Sequence, residues 1–297
     1  MPTMGTPRGK LVLAGITFAF LWASASVGTK IGLSAVQPLV LFVPRFFLAS
    51  AIMLLISHAG MKKRLPQGRE WLQLAVYGLF NISLYLGIYV VGMKETSAGL
   101  GALATATNPV FISLLSAIWL RRPLHLVTVL SLVLCLCGIG IAAWPLIAES
   151  YATPLGLGLV LLSMIAYSVG AIYFSASNLG GSLHIFTING WQTLFGGLFL
   201  LPAMLVWYEP SQNDFNLTWL LATLWLVGPV SILAVLLWLF LLKDNPVKAS
   251  FWLFLCPVFG FAISAVLMHE PLSLFTLAGV ALVIFGLCLV QWYRGKQ

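Results

Sequence analysis

The chain has 297 residues, of which 61% are hydrophobic and only 7% charged, with a mean hydropathy of +1.03 and a formal net charge of +8. A soluble domain carries roughly 25% charged residues, so this chain cannot dress a surface for water. A basic nucleic-acid-binding domain is excluded with it. Long apolar runs divided by short polar breaks are instead the pattern of membrane-spanning helices.

In chain order the runs predict an all-α membrane protein of ten spans, at about 11–33, 38–59, 70–93, 97–120, 126–146, 155–176, 184–207, 217–242, 248–268 and 272–293. Each is near the ~20 residues that cross a bilayer. The first run follows Arg8 and Lys10 and passes through Ala23-Ser24-Ala25, which resembles a cleavable signal peptide. The apolar run continues beyond those small residues, so it reads as a span. The breaks have local causes: "KKRLPQGRE" (62–70) is charged and holds Pro and Gly, "SNLGGSLH" (177–184) is a flexible turn, and "EPSQNDFN" (209–216) is polar.

Lys and Arg accumulate in cytoplasmic loops. With both termini inside, the inner segments hold Arg8, Lys10, Lys62, Lys63, Arg64, Arg69, Arg121, Arg122, Lys243, Lys248, Arg294 and Lys296, and the outer loops hold only Lys94. That asymmetry makes the positive charge a topology signal, with both termini cytoplasmic in the cell (inner/plasma) membrane.

Within the spans, chemistry-bearing residues are few. Span 1 carries Trp22 and Lys30, and span 2 carries Arg45, with no acid in either span to neutralise the two cations. An ionisable residue inside a span points to function unless it snorkels to the interface or bonds helix-end carbonyls. The functional reading is that Lys30 and Arg45, each roughly 10 Å below the outer surface at ~1.5 Å per residue, face one cavity and bind a substrate carboxylate. Span 3 carries Tyr77, Asn81, Tyr85 and Tyr89 four apart, a stripe on one helix face. Asn81 and Tyr85 are cavity candidates; Tyr77 and Tyr89 lie nearer the ends, where aromatic belts form. Asn108 on span 4, Tyr167 on span 6, and Asn189, Trp191 and Gln192 on span 7 are either pocket residues or inter-helix hydrogen-bonding glue. Trp207, Trp219, Trp225, Trp292 and Tyr293 read as interface anchors.

Pro109 and Pro257 fall near the middle of spans 4 and 9, where each removes a helical hydrogen bond and favours a kink, either a hinge or a static bend. Cys135, Cys137, Cys256 and Cys288 all lie within spans, so no framework disulfide and no metal site is expected. No cofactor is implied.

The segment around the first proline is written twice. Aligned without gaps, 109–138 and 257–286 share eleven of thirty residues, including Pro109/Pro257, Phe111/Phe259, Ser116/Ser264, Pro123/Pro271 and Gly138/Gly286. The chain therefore divides into two five-span repeats, 1–146 and 147–297. Five is odd, so the second repeat enters the membrane inverted. The turn "WLRRPLH" is basic and inside, and its counterpart "LMHEPLS" carries Glu270 and is outside. Inverted repeats are a transporter architecture.

Residues 83–142, with "TSAGLGAL", Asn108-Pro109, a charged-Pro-Leu turn and a Gly-spaced fifth helix, resemble the core of the EamA-type drug/metabolite transporters. "FLWASASVGTKIGL" (20–33) and "PRFFLAS" (44–50) are similar to that family's first two helices. The chain departs from the family pattern where Arg121-Arg122 and His269-Glu270 replace Gly-Glu, and where Cys256-Pro257 replaces Asn-Pro. The resemblance implies secondary transport, often export, of small metabolites, with the lipid bilayer and a small-molecule substrate as partners and a monomer sufficient. Residue chemistry favours amino acids or amino-acid-derived, carboxylate-bearing compounds, opine-like metallophores included. Cationic-drug efflux is disfavoured by cavity cations, and a non-transporting receptor or scaffold is the remaining alternative. HExxH, GxSxG and phosphate-binding Gly-Lys motifs are absent, so an enzyme is not expected.

Overall fold

The computed structural model describes residues 8–119, 126–177, 179–244 and 252–294, and among them every regular element is helical. Helix α1 (Arg8–Leu33) is followed by α2 (Pro38–Leu54), which runs on through a π-helical turn, Leu55–Gly60. Helices α3 (Arg69–Gly78) and α4 (Tyr85–Lys94) form one rod joined by the π-helical turn Leu79–Leu84. Then come α5 (Ala98–Ala106), α6 (Asn108–Trp119), α7 (Leu126–Ala148), α8 (Pro154–Ala176), the single turn α9 (Leu179–Ser182) and α10 (Ile185–Val206). Helix α11 (Leu217–Trp225) passes through a second long π-helical stretch, Leu226–Ala234, into α12 (Val235–Asp244). A 3-10 turn, Trp252–Phe254, leads into α13 (Leu255–Met268), and α14 (Leu274–Arg294) closes the chain.

Among the described residues seven stretches are both long and apolar enough to cross a membrane: Gly9–Leu33, Pro38–Gly60, Arg69–Lys94, Ala98–Trp119, Leu126–Ala148, Pro154–Ala176 and Leu217–Trp238. Helix α10 has the length, 22 residues, but Asn189 and Gln192 dilute its apolar character. Trp252–Met268 is a shorter apolar helix, and the apolar stretch Leu274–Leu289 lies within α14.

Local sequence explains the starts. Ser97, Thr153 and Asn216 accept hydrogen bonds from the amides of Leu100, Gly156 and Trp219, satisfying donors that a helix N-terminus leaves open. Pro38 and Pro154 occupy the first turn, where a missing N–H costs nothing. The same logic relocates the expected kinks. Pro109 is the second residue of α6, after a break at Thr107, and Pro257 is the third residue of α13, after the 3-10 turn. Each proline opens a helical segment, and the irregularity lies two or three residues before it.

Helix α2 packs along α10, α5 along α13, and α7 along α14. The last pair meets at backbone distance: a Cβ on Gly138 would sit 2.7 Å from the Gly279 carbonyl oxygen. Nearby, the Cys135 thiol lies 3.8 Å from the Val283 carbonyl oxygen, two residues at corresponding places under the offset that relates Pro109 to Pro257. Helix α4 lies against α8, and α1 against α11 and α12. The largest apolar core contains Phe42, Phe46, Met93, Leu103, Ile139 and Met164, and a separate one around Phe18 and Leu241 joins α1 to α12.

The bundle has two ends. At the end carrying Gln37, the 209–216 loop clasps the α1–α2 turn: Gln37 N donates to Asn213 Oδ1 (2.8 Å), Gln37 Nε2 to the Trp207 carbonyl (3.0 Å) and Asp214 N to the Ala35 carbonyl (2.8 Å). At the opposite end Arg64 pairs with Glu70 at 2.7 Å and donates to the Ser182 carbonyl at 3.0 Å, which holds the 61–68 loop on α9.

Candidate functional site

Arg45 lies on α2 and is only 5% exposed. Its Nε and Nη2 both donate to Ser231 Oγ, at 3.3 and 3.1 Å, and its guanidinium sits 4.7 Å from the Phe42 ring centroid and 5.7 Å from that of Phe46. Tyr85 and Tyr89 of α4 lie within electrostatic reach of it. No carboxylate pairs with it among the described residues. A charge buried without a counter-ion is expensive, and hydroxyl and ring contacts only soften that cost.

Ser231 was not legible as a site residue, because one serine in an apolar run is ordinary. Its position comes from the π-helical stretch Leu226–Ala234, where its hydroxyl donates to the Leu226 carbonyl five residues back, at 2.8 Å. The other rod, α3–α4, has its own π turn, Leu79–Leu84, immediately before Tyr85 and packed against α10 and α8. Widened turns of this kind recur at functional sites. A narrow crevice lined by Met53, Phe186, Asn189, Ser231 and Val235 reaches Arg45's serine from between α2, α10 and the Leu226–Ala234 stretch.

The aromatic stripe runs past this cation. Tyr85 contacts Tyr167 at 4.9 Å between centroids and Tyr89 at 6.1 Å. Tyr89 is buried and its hydroxyl bonds Ser26 Oγ at 2.9 Å, so it belongs to the interior and not to an interfacial belt. Tyr77 stacks on Phe174 at 4.9 Å. Asn81 Nδ2 donates to Gln192 Oε1 at 3.1 Å, and Gln192 Nε2 donates to Asn189 Oδ1 at 2.6 Å. This amide relay crosses from the π turn to α10, where Gly78 and Gly196 bring the two backbones together. Asn108 stands beside the Tyr85 hydroxyl at the start of α6.

The structure therefore gathers Arg45, Tyr85, Tyr167 and Asn108 in one region and Asn81, Gln192 and Asn189 in an adjoining one. It sets three expected residues elsewhere. Trp22 packs on Phe18, 5.7 Å between centroids, among α1, α12 and the start of α13. Trp191 meets Trp71 edge-on at 4.7 Å and donates to His58 Nε2 at 3.2 Å, near the Arg64 end. Lys30 donates to the Met93 and Lys94 carbonyls, both at 3.1 Å, where a cation offsets the negative end of the helix dipole. Of the supposed interface tryptophans, Trp225 is exposed but its Nε1 donates to Ser24 Oγ at 3.0 Å, and the Trp219 Nε1 is buried.

Lys30 is one part of a grip on the α4–α5 turn. Glu270 is buried, and its two carboxylate oxygens accept from Ala98 N (2.6 Å) and Gly99 N (3.1 Å) at the start of α5. His269, with φ of 55°, reverses the chain after α13 so that Glu270 turns back to this helix. Thr153 N donates to the Glu95 carbonyl at 2.8 Å, and Thr153 Oγ1 to the Glu95 carboxylate at 2.8 Å. Thus a cation holds the end of one helix, an anion the start of the next, and a third turn the residue between them.

Comparison with known proteins fits this bundle. The model of the EamA-like transporter family matches residues 9–144 and again residues 154–292. An uncharacterized transporter of Archaeoglobus fulgidus is 25% identical over 95% of this chain and 98% of its own length. Protein PecM of Dickeya dadantii is 28% identical over 92% of this chain and 91% of its own. The chloroplastic WAT1-related protein At3g02690 of Arabidopsis thaliana is 25% identical over 94% of this chain and 68% of its own. A crystal structure of 20% identity superposes with a TM-score of 0.66, covering 98% of this chain and 99% of that one.

Proposed function

Because the chain belongs to the EamA-like transporter family, we propose that it exports small carboxylate-bearing metabolites, amino acids or amino-acid-derived compounds, across the cell membrane by alternating access. In this reading ten spans form two inverted halves, 1–146 and 147–297, with both termini cytoplasmic and the Gln37 end outside. The double family match and the pairing of α2 with α10, α5 with α13 and α7 with α14 support the two-half arrangement. Each pair joins helices at the same place in the two halves.

The observation that carries the substrate reading is Arg45: a buried guanidinium bound to one hydroxyl, beside a crevice, with no acidic partner among the described residues. Its planar fork matches a carboxylate. A cationic drug would meet the same charge as repulsion.

The test is counterflow in proteoliposomes with labelled amino acids, opine-like conjugates and cationic drugs. Carboxylates exchange and cationic drugs do not. Arg45→Gln lowers carboxylate exchange by about a hundredfold or more, the scale of stranding or removing one member of a buried charge pair. Exchange of cationic drugs in place of carboxylates, or full activity of Arg45→Gln, defeats the reading.

A further inference from the structure

We propose that the loop joining α2 to α3 is a binding site for an anionic phospholipid. Lys62, Lys63 and Arg69 supply positive charge to the headgroup, and Met61, Leu65 and Leu72 supply apolar surface to the acyl chains. The inference needs the chain to span a membrane and is independent of what Arg45 binds.

The loop carries four cations, but one of them is already spent. Arg64 pairs with Glu70 at 2.7 Å, and Gln67 N donates to the same carboxylate at 2.7 Å. That pair joins residues six apart and closes the loop, so Lys63 and Arg69, next to its two members, are brought to one ion pair. Lys62, Lys63 and Arg69 are exposed and have no acidic partner among the described residues. Like charges gathered on one short loop repel, and an anion relieves them.

The backbone holds these charges in place at a cost. Lys62 has a φ of 50°, a region unfavourable for a side chain with a Cβ. Met61 N and Lys63 N bond back to the Ile56 and Ser57 carbonyls at 2.8 and 2.9 Å, so Lys62 stands just past a helix end, where Gly is the usual residue. A cation therefore occupies a position whose backbone suits Gly. The frame around it is braced from several helices. His58 Nδ1 lies 2.9 Å from the Lys63 carbonyl, Trp191 Nε1 donates to His58 Nε2 at 3.2 Å, and Arg64 donates to the Ser182 carbonyl at 3.0 Å.

The apolar residues select a lipid over a free phosphate. Met61 is 41% exposed, Leu65 54% and Leu72 67%. A soluble anion would engage the cations and leave these side chains wet. Cations interleaved with exposed apolar groups, directly after a span, match the level where headgroups meet acyl chains.

The test uses purified full-length protein in detergent, titrated with phosphatidylglycerol, phosphatidylcholine, glycerol 3-phosphate or inorganic phosphate. Binding is read by native mass spectrometry and by melting temperature. The protein prefers phosphatidylglycerol to phosphatidylcholine by about a hundredfold, at about fivefold for each unpaired cation, and the soluble phosphates do not displace it. Added salt weakens the preference. Lys62→Gly cuts it about fivefold, while the melting temperature without lipid holds or rises, because Gly suits the positive φ. Replacing Lys62, Lys63 and Arg69 together by Gln abolishes it. Lys10→Gln, on the separate helix α1, changes nothing.

Equal binding of the two lipids overturns the inference. Displacement by glycerol 3-phosphate or inorganic phosphate overturns it in favour of a soluble anion. An equal loss in Lys10→Gln and Lys62→Gly overturns it in favour of a diffuse surface potential. Lys62→Gly decides the matter even if the triple variant does not fold.

Discussion

Arg45 and Lys30 pose one problem with two solutions. Both are cations within apolar helices, neither has an acid in its own span, and sequence places them at similar depth. Lys30 is half-buried and spends its ammonium on the carbonyls that close α4, with Glu95 and Glu270 within electrostatic reach. Arg45 is buried and finds a serine hydroxyl and two aromatic faces. The first charge is satisfied by the protein's own backbone; the second is left short of an anion. What separates them is which neighbouring element ends beside each one. A helix end supplies carbonyls to a cation, whereas the middle of a packed bundle supplies none, because those carbonyls are already in the helical ladder.

Exchanging the two cations' chemistries breaks this contrast most severely. Arg45→Lys keeps the charge but loses the planar fork, so carboxylate affinity falls about tenfold or more in equilibrium binding. Lys30→Arg keeps a donor cation at the α4 carbonyls, so transport kinetics stay at the wild-type level. Equal losses in the two variants would show that both cations meet the substrate.

The partner of Lys30 in the same grip gives the next largest effect. Glu270→Gln replaces a carboxylate that accepts from Ala98 and Gly99 with an amide that offers one acceptor and an unwanted donor. The expected cost is ~1–3 kcal/mol, read as a lowered melting temperature of the detergent-solubilised protein. If the grip holds the Gln37 end closed, a cysteine placed at Ala98 becomes more reactive to a membrane-impermeant thiol reagent in Glu270→Gln. Unchanged stability together with unchanged reactivity would remove Glu270 from the grip.

Sequence exposed the general plan and concealed the matches between distant elements. Low charge and the apolar runs announce helices. The Tyr77–Asn81–Tyr85–Tyr89 spacing predicts a stripe, which the structure keeps as a line of contacts to Phe174, Gln192, Tyr167 and Ser26. The π turns at Leu79–Leu84 and Leu226–Ala234 had no such signal. An inserted residue changes no residue type, and Pro229 alone hints at irregularity. Glu270 was visible as a charge change between the two copies, yet its contact lies 172 residues away at Ala98, beyond any local pattern. Lys30 was ambiguous for the same reason. Its fate depends on where α4 ends, which is a fact about packing. Arg121 and Arg122, the first copy's counterparts to His269 and Glu270, lie outside the described residues.

The smallest predicted effect sharpens the account of Arg45 itself. Ser231 Oγ is its protein hydrogen-bond acceptor, and a carboxylate arriving at the guanidinium competes with that hydroxyl for the same N–H groups. Ser231→Ala removes the competitor and leaves the Phe42 and Phe46 faces in place. One neutral acceptor is worth ~0.5–1 kcal/mol net, so carboxylate affinity tightens by a few-fold, measured by equilibrium binding to the folded protein. Conversely, a weakened affinity with an unchanged melting temperature would mean that the hydroxyl aims the guanidinium at the substrate. The serine would then stand with Arg45 as a positioning residue, and the uncommitted cation would be less free than its missing acid implies.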